Sequence, residues 1–470
     1  LATRLKQQLI TLSLFGVFFL LLTLEPPEGL SLEGYRTLCL FILCSSLWVS
    51  NLLPLSITSL LAVAGIPLLN IMEADKAYAY FGNPVVFFVL GAFILGAAVV
   101  SCGLSTRIAI WVLRRFGHTP RKLVLSVFFL CAALSCVMSE HAVAAMMFPI
   151  AVELMHGLNL RPGRSTMAKS LFFALAWGCI AGGTLTVLGG GRGPLAIGFL
   201  EEIGPQRWAH LDTSFHTITF VDYILYGLPL VITLLAVGWA ILTFALVPEI
   251  DSVEPARKRL QEKINEMGKI SWREQGVGLV LLSTVAAWVF VGHEYGLENI
   301  AMLGVGALFV LRLARWREIE EGVNWGIVLT YGGAICLGSA MVESGLAAWF
   351  TGQVLPVEIT SPKLFLFTVG ALVVLLTEFM SNSTVIAIMM PTALSLAPGS
   401  VDPRIVVMAV VLPSNFAFMF PAATPATAMA YSSGTFAPFE AIRFGLLLDL
   451  AGLAALAGLI FFYWPAIGLL

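Results

Sequence analysis

Residues Leu123–Leu158 read LVLSVFFLCAALSCVMSEHAVAAMMFPIAVELMHGL, an apolar stretch preceded by Arg114, Arg115, Arg121 and Lys122 and followed by Arg161, Arg164 and Lys169. Basic residues mark the cytoplasmic flanks of membrane segments, so both ends of this stretch belong on that side. As one helix it would run about 50 Å, well beyond a hydrocarbon core of roughly 30 Å. It is therefore expected to fold back on itself. The polar residues between Met138 and His141 mark the bend, giving two half-helices and a re-entrant tip near the membrane midplane.

The same pattern recurs further along the chain. Met138, Ser139, Val143, Ala145, Met147, Pro149, Ala151 and Leu154 fall without a gap on Met380, Ser381, Val385, Ala387, Met389, Pro391, Ala393 and Leu396, each 242 positions on. Gly91, Ala92, Leu95, Gly96, Ala98, Val100, Gly103 and Leu104 fall on Gly333, Ala334, Leu337, Gly338, Ala340, Val342, Gly345 and Leu346 at the same offset. One register held over about 60 residues is the mark of an internal repeat. The second stretch, Leu364–Ala397, is flanked only by Lys363 and Arg404 and is expected to enter from the opposite face. Inverted-topology repeats of this kind recur in secondary transporters.

Composition agrees with a bilayer as solvent. Of 470 residues, 59% are hydrophobic and 11% charged, and the mean hydropathy is +0.92; such a chain has too few polar side chains to cover a water-soluble globule. Runs such as Ile10–Leu24, Leu279–Val291 and Leu446–Trp464 imply roughly ten to twelve membrane segments. Ile10–Leu24 lacks a small-residue cleavage site and reads as a first span rather than a removable signal. A net charge of −2 with no basic stripe excludes a nucleic-acid partner. Seven cysteines inside apolar segments, without metal-ligand spacing, read as packing residues.

The expected organisation is a first repeat with N-terminal spans over 1–250, a cytoplasmic linker over 251–275, and a second repeat over 276–470. The hairpins occupy about 123–158 and 364–397. The linker carries Arg257, Lys258, Arg259, Lys263, Lys269 and Arg273 and reads as a solvated helix. A second interruption follows each hairpin: Gly182, Gly183 and Thr184 with Gly189–Pro194 in the first repeat (about 182–194), and Pro421–Thr427 in the second. Both are expected to unwind a helix and turn its backbone toward a cavity. The glycine cluster is not a phosphate loop, since no Gly-Lys-Ser/Thr follows it.

Ser381, Asn382, Ser383 and Thr384 at the second tip are residue types favoured at helix N-termini. The positive end of a half-helix dipole suits an anion, and the carbonyls of the preceding half-helix suit a small cation. Such residues also cap buried helices where no ligand binds, but two tips in equivalent positions favour a ligand site. His118, His156, His210, His216 and His293 fall in or near loops and are given no role.

Three segments resemble the divalent anion/sodium symporter family, which includes the dicarboxylate, citrate and sulfate carriers of solute carrier family 13. They are GAFILGAAVVSCGLSTR at Gly91–Arg107, TEFMSNST at Thr377–Thr384 and FMFPAATP at Phe418–Pro425, and the likeness covers nearly the whole chain. It implies an all-α polytopic fold of two inverted repeats, each with a re-entrant hairpin and an unwound helix. It further implies an elevator mechanism, a homodimer in lipid, a small divalent anion as substrate, and no cofactor beyond sodium as coupling ion. Substrate-binding residues would be Glu140, His141, Arg192, Asn382, Ser383, Thr384, Thr424 and Pro425; sodium-binding residues would be Ser139, Gly189, Ser381, Asn382 and Ala423.

The chain departs from the family pattern mainly in its first half. Glu140 and His141 stand where the resemblance leads one to expect Asn and Thr, and Arg192 occupies a loop that is normally uncharged. Ser383 replaces a Thr, and Ala426-Thr427 replace a Pro-Asn. An altered first sodium site is expected, and with it exchange or proton-assisted transport in place of full sodium symport. Charges inside a membrane concentrate on transport pathways, which favours a functional cluster over a salt bridge that only locks the hairpin. An adjacent Glu-His without an HExxH spacing gives little support to a membrane hydrolase. Paired hairpins and unwound helices favour alternating access over an anion channel.

Overall fold

The computed structural model describes residues 2–50, 52–349, 361–420 and 424–470. Among these residues the fold is all-α. Seven helices are long and apolar enough to cross a membrane, among them Phe220–Ala245, Trp272–Tyr295 and Pro438–Ala466, and six shorter apolar helices accompany them. Those at the periphery expose large apolar side chains, such as Leu279, Phe290, Leu303 and Val310, which suit a lipid surface and no aqueous one.

Each hairpin is punctuated by side-chain caps. Thr119 accepts from the Lys122 N–H and opens the helix Pro120–Ser135; Ser139 accepts from the His141 N–H and opens Glu140–Gly157. In the second copy Ser361 accepts from Leu364 to open Pro362–Thr377, and Ser381 accepts from Thr384 to open Asn382–Leu396. Both hairpins thus bend at a serine N-cap, and these two serines are equivalent in the repeat. A hydroxyl there satisfies an N–H that lipid could not.

The first broken helix runs Thr166–Gly183, opens over 184–191 and resumes as Arg192–Arg207. The second runs Pro403–Val411, tightens into a 3-10 turn at Pro413–Asn415, and resumes as Pro425–Ser432. Its α-helical hydrogen bonding ends near Leu412, upstream of the expected 421–427, because Pro413 has no N–H to continue the ladder. Pro421, Ala422 and Ala423 lie outside the described residues.

The core sits around Thr166–Gly183, which is buried along most of its length. Gly178 and Gly182 let it lie directly on the first hairpin: a Cβ on Gly182 would fall 2.1 Å from the Ala132 carbonyl oxygen. The linker helix Glu254–Glu266 is less solvated than its charge suggests. It buries Ala256 and Leu260, and Lys263 pairs with Glu153 of the first hairpin at 2.6 Å.

Candidate functional site

A cavity of about 500 Å³ is lined by Glu140, His141, Gly191 and Arg192 from the first copy and by Ser381, Asn382, Ser383, Thr424 and Pro425 from the second. Ser56, Asn324 and Thr330 complete its wall from the helices Leu55–Leu68 and Trp325–Glu343. The wall residues of the two copies are the first residues, or the N-caps, of four helices: Glu140–Gly157, Arg192–Arg207, Asn382–Leu396 and Pro425–Ser432. Four positive dipole ends therefore converge on one space, which is the electrostatics of an anion site.

The first tip is held by charge. Glu140 is fully buried, and its N–H donates to the Gly189 carbonyl at 2.8 Å. Its carboxylate receives both arms of the Arg192 guanidinium, Nη1 to Oε1 at 3.1 Å and Nη2 to Oε2 at 3.3 Å. Arg192 Nη2 also donates to the Gly183 carbonyl at 2.7 Å. The two formal charges cancel, so the pair adds dipole and donors to the wall without net charge. His141 Nδ1 is 3.9 Å from Glu140 Oε1 and has no hydrogen-bond partner.

Packing explains the glycines between these charges. A Cβ on Gly189 would fall 2.3 Å from the Gly183 carbonyl oxygen, and one on Gly190 2.5 Å from Arg192 Nη1. One on Gly191 would fall 2.1 Å from the hydroxyl of Tyr331, itself buried and without a hydrogen-bond partner. The cluster closes the break around Arg192.

The second tip is held by amides and hydroxyls. Asn382 is buried; its Oδ1 faces the Thr377 hydroxyl at 2.9 Å and its Nδ2 donates to Asn415 Oδ1 at 3.0 Å. Asn415 Nδ2 in turn donates to the Ile180 carbonyl at 2.7 Å and to the Thr184 hydroxyl at 2.6 Å, tying the second broken helix to the first. One N–H of the Asn382 amide remains for the cavity. The Thr424 side chain accepts from the Thr427 N–H at 3.2 Å and caps the restarted helix.

Of the residues expected at the site, Ser139, Gly189 and Thr384 do not line this cavity, Ser139 lining a neighbouring one beside His141 and Asn324 instead, and Ala423 lies outside the described residues. Thr377, Asn415, Thr184, Asn324, Thr330 and Tyr331 were not expected. Asn415 had one signal, the polar Ser-Asn after Pro413 inside an apolar run; Tyr331 had none, for it belongs to an apolar helix that meets the site only in three dimensions.

The sequence pattern of the family described as "Sodium:sulfate symporter transmembrane region" matches residues 4–470. The chain is 25% identical over 490 residues to the sodium-dependent dicarboxylate transporter SdcS of Staphylococcus saprophyticus, covering 98% of this chain and 92% of that one. It is 26% identical over 489 residues to SdcS of Staphylococcus aureus strain NCTC 8325, with the same coverage of 98% and 92%. The fold is similar to that of the Alcanivorax borkumensis YdaH transporter, with a TM-score of 0.54 at 14% identity, covering 83% of this chain and 87% of that one. It is also similar to Neisseria gonorrhoeae MtrF, with a TM-score of 0.56 at 13% identity, covering 83% and 85%. The chain therefore belongs to the sodium:sulfate symporter family, the divalent anion/sodium symporters, and is a multi-pass integral membrane transporter rather than an enzyme.

Proposed function

We propose that the protein is a secondary active transporter of small divalent anions, dicarboxylates such as malate, succinate or 2-oxoglutarate foremost, carried by an elevator-like movement of the hairpins and broken helices within a homodimer. The observation that carries this reading is the convergence of four helix N-termini, two from each copy, on one cavity of about 500 Å³. Two opposed pairs of dipoles match two carboxylates held apart by a short carbon chain. The SdcS relatives are named as dicarboxylate carriers.

Sodium would bind at the second tip, where Ser381 and Asn382 supply oxygen. At the first tip Arg192 supplies a fixed positive charge beside Glu140. A charge fixed to the protein cannot be drawn from a gradient, so sodium coupling through that site is lost and exchange, or proton-assisted transport, takes its place. A second reading, full sodium symport with Glu140 as a sodium ligand, is favoured by the sodium dependence in the relatives' names. Uptake into proteoliposomes separates the two, comparing sodium with choline at fixed pH and then stepping the pH, for the parent and for Glu140→Gln. Counterflow of one dicarboxylate against another with shallow sodium dependence is expected; steep sodium dependence without a pH response, lost in the variant, overturns the exchange reading. No saturable uptake of any dicarboxylate under any gradient overturns the wider one.

A further inference from the structure

Behind the second tip, away from the anion cavity, lie two buried carboxyl groups that transport of an anion does not explain. Glu378 follows the helix Pro362–Thr377 and is 1% exposed; Asp449 lies within Pro438–Gly458 and is 2% exposed. Glu378 is clamped to the extended segment that leads into the restarted helix. Its Oε1 accepts from the N–H groups of Phe418 and Met419 at 3.0 and 3.2 Å, and its Oε2 from that of Phe420 at 3.0 Å. Three amide donors around one carboxylate work against the cost of burying its charge.

Asp449 has no such provision. Among the described residues neither of its oxygens meets a donor, and the group it interacts with is the carboxyl of Glu378, which is an acceptor when ionised. Gly445, Asp449 and Gly452 lie on one face of their helix by spacing. A Cβ on Gly445 would fall 2.5 Å from the Phe418 carbonyl oxygen and one on Gly452 2.5 Å from the Phe416 ring, so this face rests directly on the segment that Glu378 holds. Two buried acceptors in contact can bond only through a proton between them, and two bare carboxylates there would repel each other in a medium that screens poorly.

We propose that Asp449 and Glu378 form a proton-binding site separate from the anion cavity, and that its one proton couples pH to the conformation of the second broken helix. The proton resides on Asp449, whose O–H donates to ionised Glu378. Its loss to water leaves two facing carboxylates, drives Glu378 or the Asp449 helix away, and frees the 418–420 segment. A sodium ion is the poorer occupant, since the three N–H groups already turned to Glu378 would repel it.

Other charges do not neutralise the pair. Tyr431, on the restarted helix, interacts with Glu378 and donates its hydroxyl to the Met419 carbonyl at 2.6 Å. The helices Phe220–Ala240 and Pro362–Thr377, packed against Pro438–Gly458, carry Asp222, Tyr223, Tyr226 and Lys363. The Asp449 helix itself carries Glu440 and Arg443, and Tyr463 lies just beyond it. None of these is among the groups interacting with Asp449.

Infrared titration of the purified protein tests the site without reference to what is carried. The wild type is expected to show the carbonyl stretch of a protonated carboxylic acid at neutral pH, unchanged by added sodium, lost in Asp449→Asn and retained in Glu140→Gln. In proteoliposomes that take up a dicarboxylate, the rate above the midpoint of this band should fall towards tenfold per pH unit in the wild type, and the dependence should be absent in Asp449→Asn. A wild-type spectrum without the band at neutral pH overturns the proposal even if the variant fails to fold. So does its removal by sodium, its persistence in Asp449→Asn, or an unchanged pH slope in that variant.

Discussion

Arg192 and Glu140 are 52 positions apart in the chain and meet across the first break, both buried. Removing one member of such a pair leaves an uncompensated charge, which typically costs about 3–5 kcal/mol, while removing both costs far less. Arg192→Leu should therefore lower the unfolding temperature of the detergent-solubilised protein sharply, and Glu140→Leu/Arg192→Leu should recover most of the loss. Additive effects in the thermal melts would show that the pair is not coupled. Asn382 and Asn415 form a second unit. Asn382→Ala removes the acceptor facing Thr377 and the donor to Asn415, at about 1–3 kcal/mol for groups left unsatisfied, and should also abolish the thermal shift given by a dicarboxylate. Asn415→Ala in the Asn382→Ala background should cost less than it does alone, by about 0.5–3 kcal/mol.

The helix Thr166–Gly183 depends on two glycines for its contact with Pro120–Ser135. Gly182→Ala would place a methyl 2.1 Å from the Ala132 carbonyl oxygen and Gly178→Ala one 2.4 Å from that of Phe128; backbone cannot yield as a side-chain end can, so each should cost at least the 1–3 kcal/mol typical of overpacking. Gly458→Ala, with open space around it, should leave the melt unchanged. At the N-terminal end of the same helix, Glu249 accepts from the Met167 N–H at 2.8 Å and from the Ser165 hydroxyl. Burial works against its charge, but these hydrogen bonds and those of nearby backbone N–H groups prevail and hold the carboxyl below its ordinary value. A depressed folded-state value means stability that is present at neutral pH and lost as the pH falls through it. The melting temperature of Glu249→Gln should accordingly lie below that of the parent at neutral pH and converge with it under acid. Elements like these differ in how far the sequence discloses them. Ser139 and Ser381 announce the hairpin bends because a cap is a local requirement, written within three residues of the turn. The second break begins at Pro413, upstream of 421–427, because one proline inside an apolar run is a weaker local signal than the Pro421–Pro425 cluster. Tyr331 and the Glu378–Asp449 contact are illegible in sequence because each depends on distances between helices remote in the chain.

At the scale of the whole molecule, all seven cysteines are free. With these replaced, a cysteine at Ser383, on the cavity wall, should react with a small thiol reagent and be protected by a dicarboxylate. One at Thr384, which is buried and does not line the cavity, should not react. Equal reaction at both positions, or no protection, would place the substrate elsewhere. The amide of Asn415 reaches the Ile180 carbonyl across 235 positions of chain. At synthesis rates of about 5–20 residues per second, that interval is roughly 10–50 s. For that time the nascent first half waits in the bilayer with Thr184 and Ile180 lacking the donor that will join them. This polar joint is thus also a timer, and a ribosome stalled before Asn415 leaves behind a first half whose broken helix has not met the amide that ties it to the second.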